Sequence, residues 1–393
     1  MLAVYALALW FERYGVRSAT HGADVGVYAA DARAIADGRL PYRDVYVEYP
    51  PGVLPAILAP EPATDYATTF KVLMAVLGAG SLLAAAVCLR THGGRVLWPL
   101  LAIAVAPVAV GSVFVNRFDV WPALLLVVGL ALLVRGHPAA AFAVLAVGAT
   151  AQVSPTAAVP AAAVWVWRRH GAKTLKRAVA VFVGTGLIIL VPFAALGAGG
   201  LRFSFTIQLT RHLQTESLGG AALLIADRLG LYKATIATGN PGSLDLFGSL
   251  PTIIAAFSLV AVVALIAWGA WTLTRGPIGV ERVIAAAAAA VAVYVAFGKV
   301  LSPQYTVWLI PLVPLVRGAS GRIATVLLLA ALLLTQLEFD HRYNQIHTAG
   351  PVVWILLVRD LLLVVVATLL LHAARPPAGD EGKKPTQPSL SNA

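Results

Sequence analysis

The chain has 393 residues, 59% of them hydrophobic and only 12% charged, with a formal net charge of +11 and a mean hydropathy of +0.83. A soluble domain is about a quarter charged, and a water-soluble core of this composition would leave large apolar patches exposed. The positive charge comes in small clusters between apolar runs, with no basic helix or aromatic-basic stripe, so nucleic-acid binding is excluded along with a soluble globular class.

In chain order, Met1 to Trp10 lack a basic n-region and a small-residue cleavage site and do not read as a cleaved signal peptide. They are too short to cross a bilayer, so either residues past Trp10 complete the first span or the start trims a longer helix, the second being favoured. The apolar runs predict an all-α polytopic membrane protein with about 12 transmembrane segments. They fall at 1–14, 67–90, 96–115, 119–135, 138–153, 155–169, 178–197, 250–274, 281–300, 304–317, 323–338 and 351–372. Residues 1–375 form a single integral membrane domain in this reading, and the Pro-, Gly-, Lys- and Ser-rich stretch 376–393 is a disordered cytoplasmic tail.

The charge distribution orients the chain. Arg90 and Arg95, Arg135, the group Arg168, Arg169, Lys173, Lys176 and Arg177, then Arg275 with Arg282, Arg317 with Arg322, and Arg375 with Lys383 and Lys384 all fall on one side. That is the signature of short cytoplasmic loops in a cell-membrane protein. Most acids fall on the other side, in two long outer loops at 13–65 and 199–249. Loops of that length in a compact protein usually carry function. Cys88 is the only cysteine, so an intrachain disulfide is impossible, and no His/Asp/Glu spacing argues for a metal site. No cofactor is called for.

The first outer loop holds His21-Gly22-Ala23-Asp24-Val25-Gly26-Val27-Tyr28, followed by an Ala-rich stretch to Gly38. Val25, Tyr28, Ala29, Ala32 and Ile35 share one helical face, which predicts a short helix lying on the membrane surface. Next comes Pro41-Tyr42-Arg43-Asp44-Val45-Tyr46-Val47-Glu48-Tyr49-Pro50-Pro51-Gly52, too rich in proline for regular helix. Asp24 reads either as the N-cap of a helix starting at Val25 or as a general base. Asp44 and Glu48 are supporting carboxylates for such a base, or surface partners of Arg43 or Arg39.

The pattern Asp-x-x-Val-Tyr, Gly-x-x-Pro-Tyr-x-Asp, Glu-Tyr-Pro-Pro resembles glycosyltransferase family 87. These are GT-C-type membrane enzymes that use polyprenyl-phosphate sugars and include the mannosyltransferases that elongate phosphatidylinositol mannosides. The resemblance continues at Asn116-Arg117-Phe118-Asp119, at Arg211-His212-Leu213-Gln214-Thr215-Glu216-Ser217 and at Lys299-Val300-Leu301-Ser302-Pro303-Gln304-Tyr305. It implies inverting hexosyl transfer, mannosyl by family default, from a polyprenyl-phosphate donor to a lipid or glycan acceptor outside the cytoplasm. Asp24 is implied as the base, and Tyr28, His212, Gln214, Glu216, Gln304 and Tyr305 as substrate-binding residues. Two departures stand out. Family members often carry a Lys before the Pro in the block that here reads Ala151-Gln152-Val153-Ser154-Pro155. Gln304 and Tyr305 also occupy a region where the mannoside-elongating branch has His residues.

A lipid-phosphate donor calls for fixed cations at the outer interface, and Arg211, Lys299 and Arg117 map there. The competing readings are snorkelling toward headgroups and, for Arg117, a pair with Asp119. His212 and Glu216 are substrate contacts or solvated surface residues. Trp121, Trp308 and Trp354 read as interfacial belt residues, and Arg359-Asp360 as a pair facing the bundle. A multi-span transporter or lipid flippase without transferase activity is the alternative function, and a non-catalytic envelope scaffold the third.

Overall fold

The computed structural model describes residues 1–11, 23–91, 93, 96–239 and 243–376. His21 and Gly22, Arg95 and the tail beyond Pro376 lie outside them. Among the described residues, six helices are long and apolar enough to cross a membrane: α4 (Tyr66–Thr91), α9 (Ser154–Thr210), α11 (Ser249–Thr272), α12 (Val280–Phe297), α13 (Gly318–Arg342) and α14 (Val352–Ala373). Three shorter apolar helices accompany them, α5 (Leu97–Val110), α7 (Val120–Val134) and α8 (Pro138–Ala151). The chain is therefore a multi-pass, all-α membrane protein.

Seven of the predicted spans fall in these six long helices, two of them in α9, and the others fall on shorter elements. The first is only α1 (Leu2–Phe11), docked by a hydrogen bond from the Tyr5 hydroxyl to Ala75 O at 2.9 Å. The predicted spans 155–169 and 178–197 are two arms of α9, reversed at Gly171, whose φ of 83° is readily adopted only by glycine. The most apolar stretch of α9 has none of its residues buried by protein, as expected of an arm standing in lipid. The predicted span 304–317 is two 3₁₀ helices, Pro303–Leu309 and Val313–Leu315, buried throughout. Pro303, Pro311 and Pro314 remove backbone donors there. A 3₁₀ rise of ~2.0 Å per residue carries ~14 residues across ~28 Å, enough to traverse the bundle where an α-helix of that length would not.

The helix ends sort into two sets. The basic set closes one end of the bundle: Arg168 Nη1 donates to Leu273 O and Gly276 O at 2.7 and 2.9 Å. Arg282 donates to Thr272 O, Arg275 O and Ala374 O at 2.6, 2.9 and 3.0 Å. These arginines satisfy the orphan carbonyls at the C-termini of α11 and α14.

The opposite end carries the two long outer segments, and one expectation about them changes. The amphipathic stretch is helix α2 (Ala23–Ala36), but its apolar face is not laid on lipid. Val25, Tyr28 and Ala32 are buried in the protein core, Tyr28 against Phe70 and Phe118 at ring distances of 5.5 and 5.7 Å. The Pro-rich piece to Gly52 has no regular helix, as expected; it ends in a 3₁₀ turn, Pro51–Val53, and a short helix α3 (Leu54–Leu58) follows it. The second outer segment is an ordered unit: the end of α9, α10 (Leu218–Arg228) and the antiparallel sheet of β1 (Leu213–Gln214), β3 (Leu244–Phe247) and β2 (Thr235–Thr238), in that spatial order. It has its own apolar cluster, in which Leu224 and Leu246 meet Val353 and Leu356 of α14.

Candidate active site at the acidic end of the bundle

The first outer segment is held by local chemistry that its motif residues supply. Gly38, at φ 91°, ends α2 with Gly38 N donating to Ile35 O at 3.0 Å and Arg39 N to Ala34 O at 3.1 Å, a Schellman closure. Tyr42 has φ 66°, rare for a non-glycine residue, and is fully buried. Its hydroxyl donates to Tyr49 O at 2.7 Å. Gly197 and Gly200 of α9 lie so close to the Tyr42 backbone that a Cβ on either would collide with it. Gly52 sits against the Thr150–Ala151 backbone, and its carbonyl accepts from Trp121 Nε1 at 3.0 Å. Trp121 is thus an anchor for the loop rather than a belt residue.

This clamping delivers Glu48 and Tyr49 to the centre of the acidic end. Gln208 Nε2 donates to Glu48 Oε1 at 3.2 Å, and the Tyr49 ring meets Phe118 edge-on at 4.6 Å. Burial raises the Glu48 carboxyl above the usual range, with the nearby Arg211 charge opposing the shift. Asp44 goes elsewhere. It is exposed, accepts from Leu40 N at 2.9 Å and is chelated by Arg43 at 2.9 and 3.0 Å, which holds its carboxyl below the usual range. Asp44 is therefore a turn residue, and the structure separates it from Asp24 and Glu48.

Asp24 lies in the first turn of α2 and forms an ion pair with Arg117. Ala23 before it is already helical among the described residues, so Asp24 lies inside the helix and is not its N-cap. Arg117, between α6 (Val113–Asn116) and α7, was expected to pair with Asp119 or bind phosphate; its carboxylate partner is Asp24, and Phe339 lies under its guanidinium at 5.7 Å. Asp119, almost wholly buried, lies close by, in electrostatic contact with Arg117. Trp308 is 1% exposed and stacks on Tyr305 at 4.3 Å, so it is a wall of this site and not a belt residue. Trp354, 44% exposed, does face outward.

The second outer segment contributes the cations. Arg211 ends α9, and its charge is felt by Glu48, Tyr49, Tyr305 and Asp245. Lys299 Nζ donates to Leu209 O at 2.8 Å and Arg211 O at 2.7 Å. Lys299 thereby caps the α9 C-terminus and fixes the Arg211 backbone. Partial burial, followed by the Arg211 charge, lowers its pKa.

Gln214 Nε2 donates to Glu216 Oε2 at 2.8 Å, and both side chains are buried. Burial raises the Glu216 carboxyl to about 7, against the opposing charges of Arg359 and Arg211. Beneath it Arg359 donates to Glu216 O, to Glu338 at 3.3 Å and to Asp360 at 2.9 Å. Gln304 is buried beside Tyr305, whereas His212 is exposed and rests on Phe247 at 4.4 Å, on the outside of the segment.

Three members of the site were not singled out from the sequence. Asp31, raised to about 6 by burial, follows Asp24 and Tyr28 at helical spacing on α2, so its signal was legible. Tyr49 lay inside a quoted motif. Asp245 sits on β3 with Ser243 donating to it at 2.9 Å, and no local pattern announces that strand. Arg211 Nε, Gln214 Oε1, Glu216 Oε1 and Asp245 Oδ2 are buried without a hydrogen-bond partner among the described residues. Each such atom costs about 1–3 kcal/mol, so their gathering at one end marks a place built for polar contacts rather than for stability.

No family model matches the chain, and no curated protein matches it. Among solved structures, it is similar to the crystal structure of ArnT from Cupriavidus metallidurans bound to undecaprenyl phosphate. The TM-score is 0.51 at 17% identity, over 95% of this chain and 77% of that one. The likeness is one of fold, and that fold is the polytopic GT-C type.

Proposed function

We propose that the protein is a membrane glycosyltransferase that moves a hexosyl group from a polyprenyl-phosphate donor to a lipid or glycan acceptor of the cell envelope. The observation that carries the reading is the convergence of Asp24 and Glu48 from the first outer segment, Arg211 from the end of α9, and Arg117 and Tyr305 from the bundle onto one end of a GT-C fold. The neighbour's bound undecaprenyl phosphate supports a polyprenyl-phosphate carrier for this chain as well. The short basic loops at the other end orient the site away from the cytoplasm of a cell membrane. The quoted motif blocks favour family 87 and, by its default, mannose.

In the proposed reaction Asp24 accepts the proton of an acceptor hydroxyl. The acceptor oxygen bonds to the anomeric carbon on the face opposite the lipid phosphate, the bond from that carbon to the phosphate oxygen breaks, and the anomeric centre inverts. Arg211 stabilises the charge that develops on the departing phosphate. Arg117 holds Asp24 in place, and Lys299 acts through the Arg211 backbone. Tyr28, Tyr305, Gln304, Gln214 and Glu216 supply the polar and aromatic surroundings for the sugar.

One observation favours the carrier alternative: Arg359, Asp360 and Glu338 are buried charges inside the bundle, where transporters keep ionisable residues. These charges compensate one another, however, and Arg359 is tied to the Glu216 backbone at the site. The deciding experiment incubates the purified protein in bilayers with a labelled polyprenyl-phosphate hexose. The proposal expects acceptor-dependent release of polyprenyl phosphate, lost in Asp24→Asn. Movement of the labelled lipid between leaflets with no release would establish the carrier instead.

A further inference from the structure

At the basic end of the bundle a cavity of about 310 Å³ opens where the α7–α8 turn, the reversal of α9 and the start of α12 meet. The 18 residues of α12 place it ~27 Å from the Lys299 end of that helix, at 1.5 Å per residue. Gly136, at φ 82°, closes α7, with Gly136 N donating to Leu133 O at 3.1 Å and His137 N to Leu132 O at 2.9 Å, which leaves Arg135 on the rim. Arg169 and His170 line the cavity from α9, just before Gly171 turns that helix back. Leu133 and Trp165 are its buried inner wall, and Ile278 belongs to the lining as well. Trp165 lies one turn before Arg169 and is 3% exposed, and its Nε1 has no hydrogen-bond partner among the described residues.

We infer that this cavity binds a phosphate group, held between the guanidiniums of Arg135 and Arg169, as the headgroup of an anionic lipid or as a small soluble phosphate ester. The arginines of this end divide by what they touch. Arg168 and Arg282 donate to helix-end carbonyls. Arg135 and Arg169 make no side-chain hydrogen bond or ion pair among the described residues. Two guanidiniums flanking one opening without a counter-charge are matched by a phosphate, which accepts charge-assisted and bidentate hydrogen bonds from both. No carboxylate lines the cavity among the described residues; Glu281, next after Val280, is 61% exposed and lies against Arg317 at 3.4 Å. Gly279 and Val280 bring the start of α12 to the lining, and no side chain caps it, so the positive end of that helix dipole adds to the potential there. Snorkelling accounts for a single exposed arginine. It does not account for cations from two elements, an uncapped helix start and a buried orphan donor around one space. The volume lies at the low end of the ~300–1,000 Å³ of small-ligand sites, enough for a headgroup or a small ester and too little for a whole lipid.

The test uses the full-length protein in neutral phosphatidylcholine discs at fixed ionic strength and follows its unfolding temperature. Dioctanoyl phosphatidylglycerol and glycerol 3-phosphate are titrated separately, and at least one is expected to raise that temperature saturably. A response to the lipid alone assigns the site to a headgroup, and a response to glycerol 3-phosphate assigns it to a soluble ester. Arg135→Ala and Arg169→Ala, exposed positions whose loss the fold tolerates, are each expected to weaken the apparent affinity about tenfold or more. Arg177→Ala removes an exposed charge that does not line the cavity, and Arg211→Ala removes the cation proposed to meet lipid phosphate at the acidic end. Both are expected to keep the parent affinity. No saturable response to either ligand, an unaltered affinity in either Arg135→Ala or Arg169→Ala, or an equal loss in Arg177→Ala or Arg211→Ala would each overturn the assignment.

Discussion

Arg117 reaches from the turn before α7 to form an ion pair with Asp24 in the first turn of α2, joining the transmembrane bundle to the first outer segment. The Arg117 side chain is 10% exposed and that of Asp24 31%, so the pair is shielded on the arginine side and open on the carboxylate side. A proton acceptor needs that geometry: held by one neighbour, reachable by another.

Asp24→Asn and Asp24→Ala therefore separate two roles. Both are expected to lose turnover by at least the ~10²–10⁴-fold typical of removing a general base. Asn leaves a polar group beside Arg117 and should fold normally. Both variants remove the charge beside Arg117, but Ala also removes the hydrogen-bonding group and should lose about 1–3 kcal/mol more stability than Asn. Turnover and denaturant midpoints read the two effects, and an active Asp24→Asn protein removes Asp24 from the mechanism.

The other two carboxylates of that segment should behave differently. Asp44→Asn only loosens an exposed turn whose ion pair with Arg43 is screened by solvent, so turnover is expected within about twofold of the parent. Glu48→Gln alters a partly buried group between Gln208 and Arg211 and is expected to lower turnover more strongly. The reverse order in initial rates would make Asp44 the site residue.

Arg211 and Lys299 were expected to act alike, and the structure distinguishes them. Arg211→Ala should weaken donor binding by roughly 1.5–3 kcal/mol, the range for hydrogen bonds to charged groups. Lys299→Ala removes a cap from α9, so its lower donor affinity should come with a lower unfolding temperature. Donor titration and thermal unfolding of both variants check this; identical profiles would return Lys299 to a direct phosphate contact.

Glu216 sets a pH dependence whose sign follows from burial. Its native carboxyl titrates near 7, above the ordinary carboxylate range, so the folded protein binds a proton that the unfolded chain has already released between about 4.5 and 7. Ionising Glu216 thus costs stability as pH rises through that window. Glu216→Gln has no proton to lose. The parent should destabilise more steeply than the variant between pH 5 and 8, and parallel curves would show that Glu216 is ionised throughout.

Orientation is testable with single cysteines, because native Cys88 is fully buried and should stay silent. Arg39→Cys and Lys233→Cys, both exposed at the acidic end, should react with an impermeant thiol reagent in intact cells. Lys173→Cys, exposed at the basic end, should not. Equal labelling of all three would overturn the orientation.

Much of this was legible because bilayer physics imposes long apolar runs and basic short loops, and both survive as patterns in a single sequence. The convergence of Asp24 with Arg117 was not, since nothing near either residue encodes a contact made through the packing of α2 on α4. Trp308 misled for a related reason. A tryptophan near a span end reads as interfacial, and only the path of the 3₁₀ segment turns it inward onto Tyr305. Asp245 and its sheet were hidden because strands of two to four residues are too short to show alternation.

That 3₁₀ segment also governs the parity of the molecule. It is too short and too interrupted by proline to enter a bilayer alone as a stable helix, and its burial on all sides means that α12, α13 and α5 must already surround it. Had it stayed on the surface, α13 and α14 would thread the membrane in the opposite sense, carrying Phe339 away from Arg117 and Arg359 away from Glu216. The direction of the last two helices, and with it one whole wall of the acidic end, rests on a crossing of about 14 residues that carries almost no helical signal of its own.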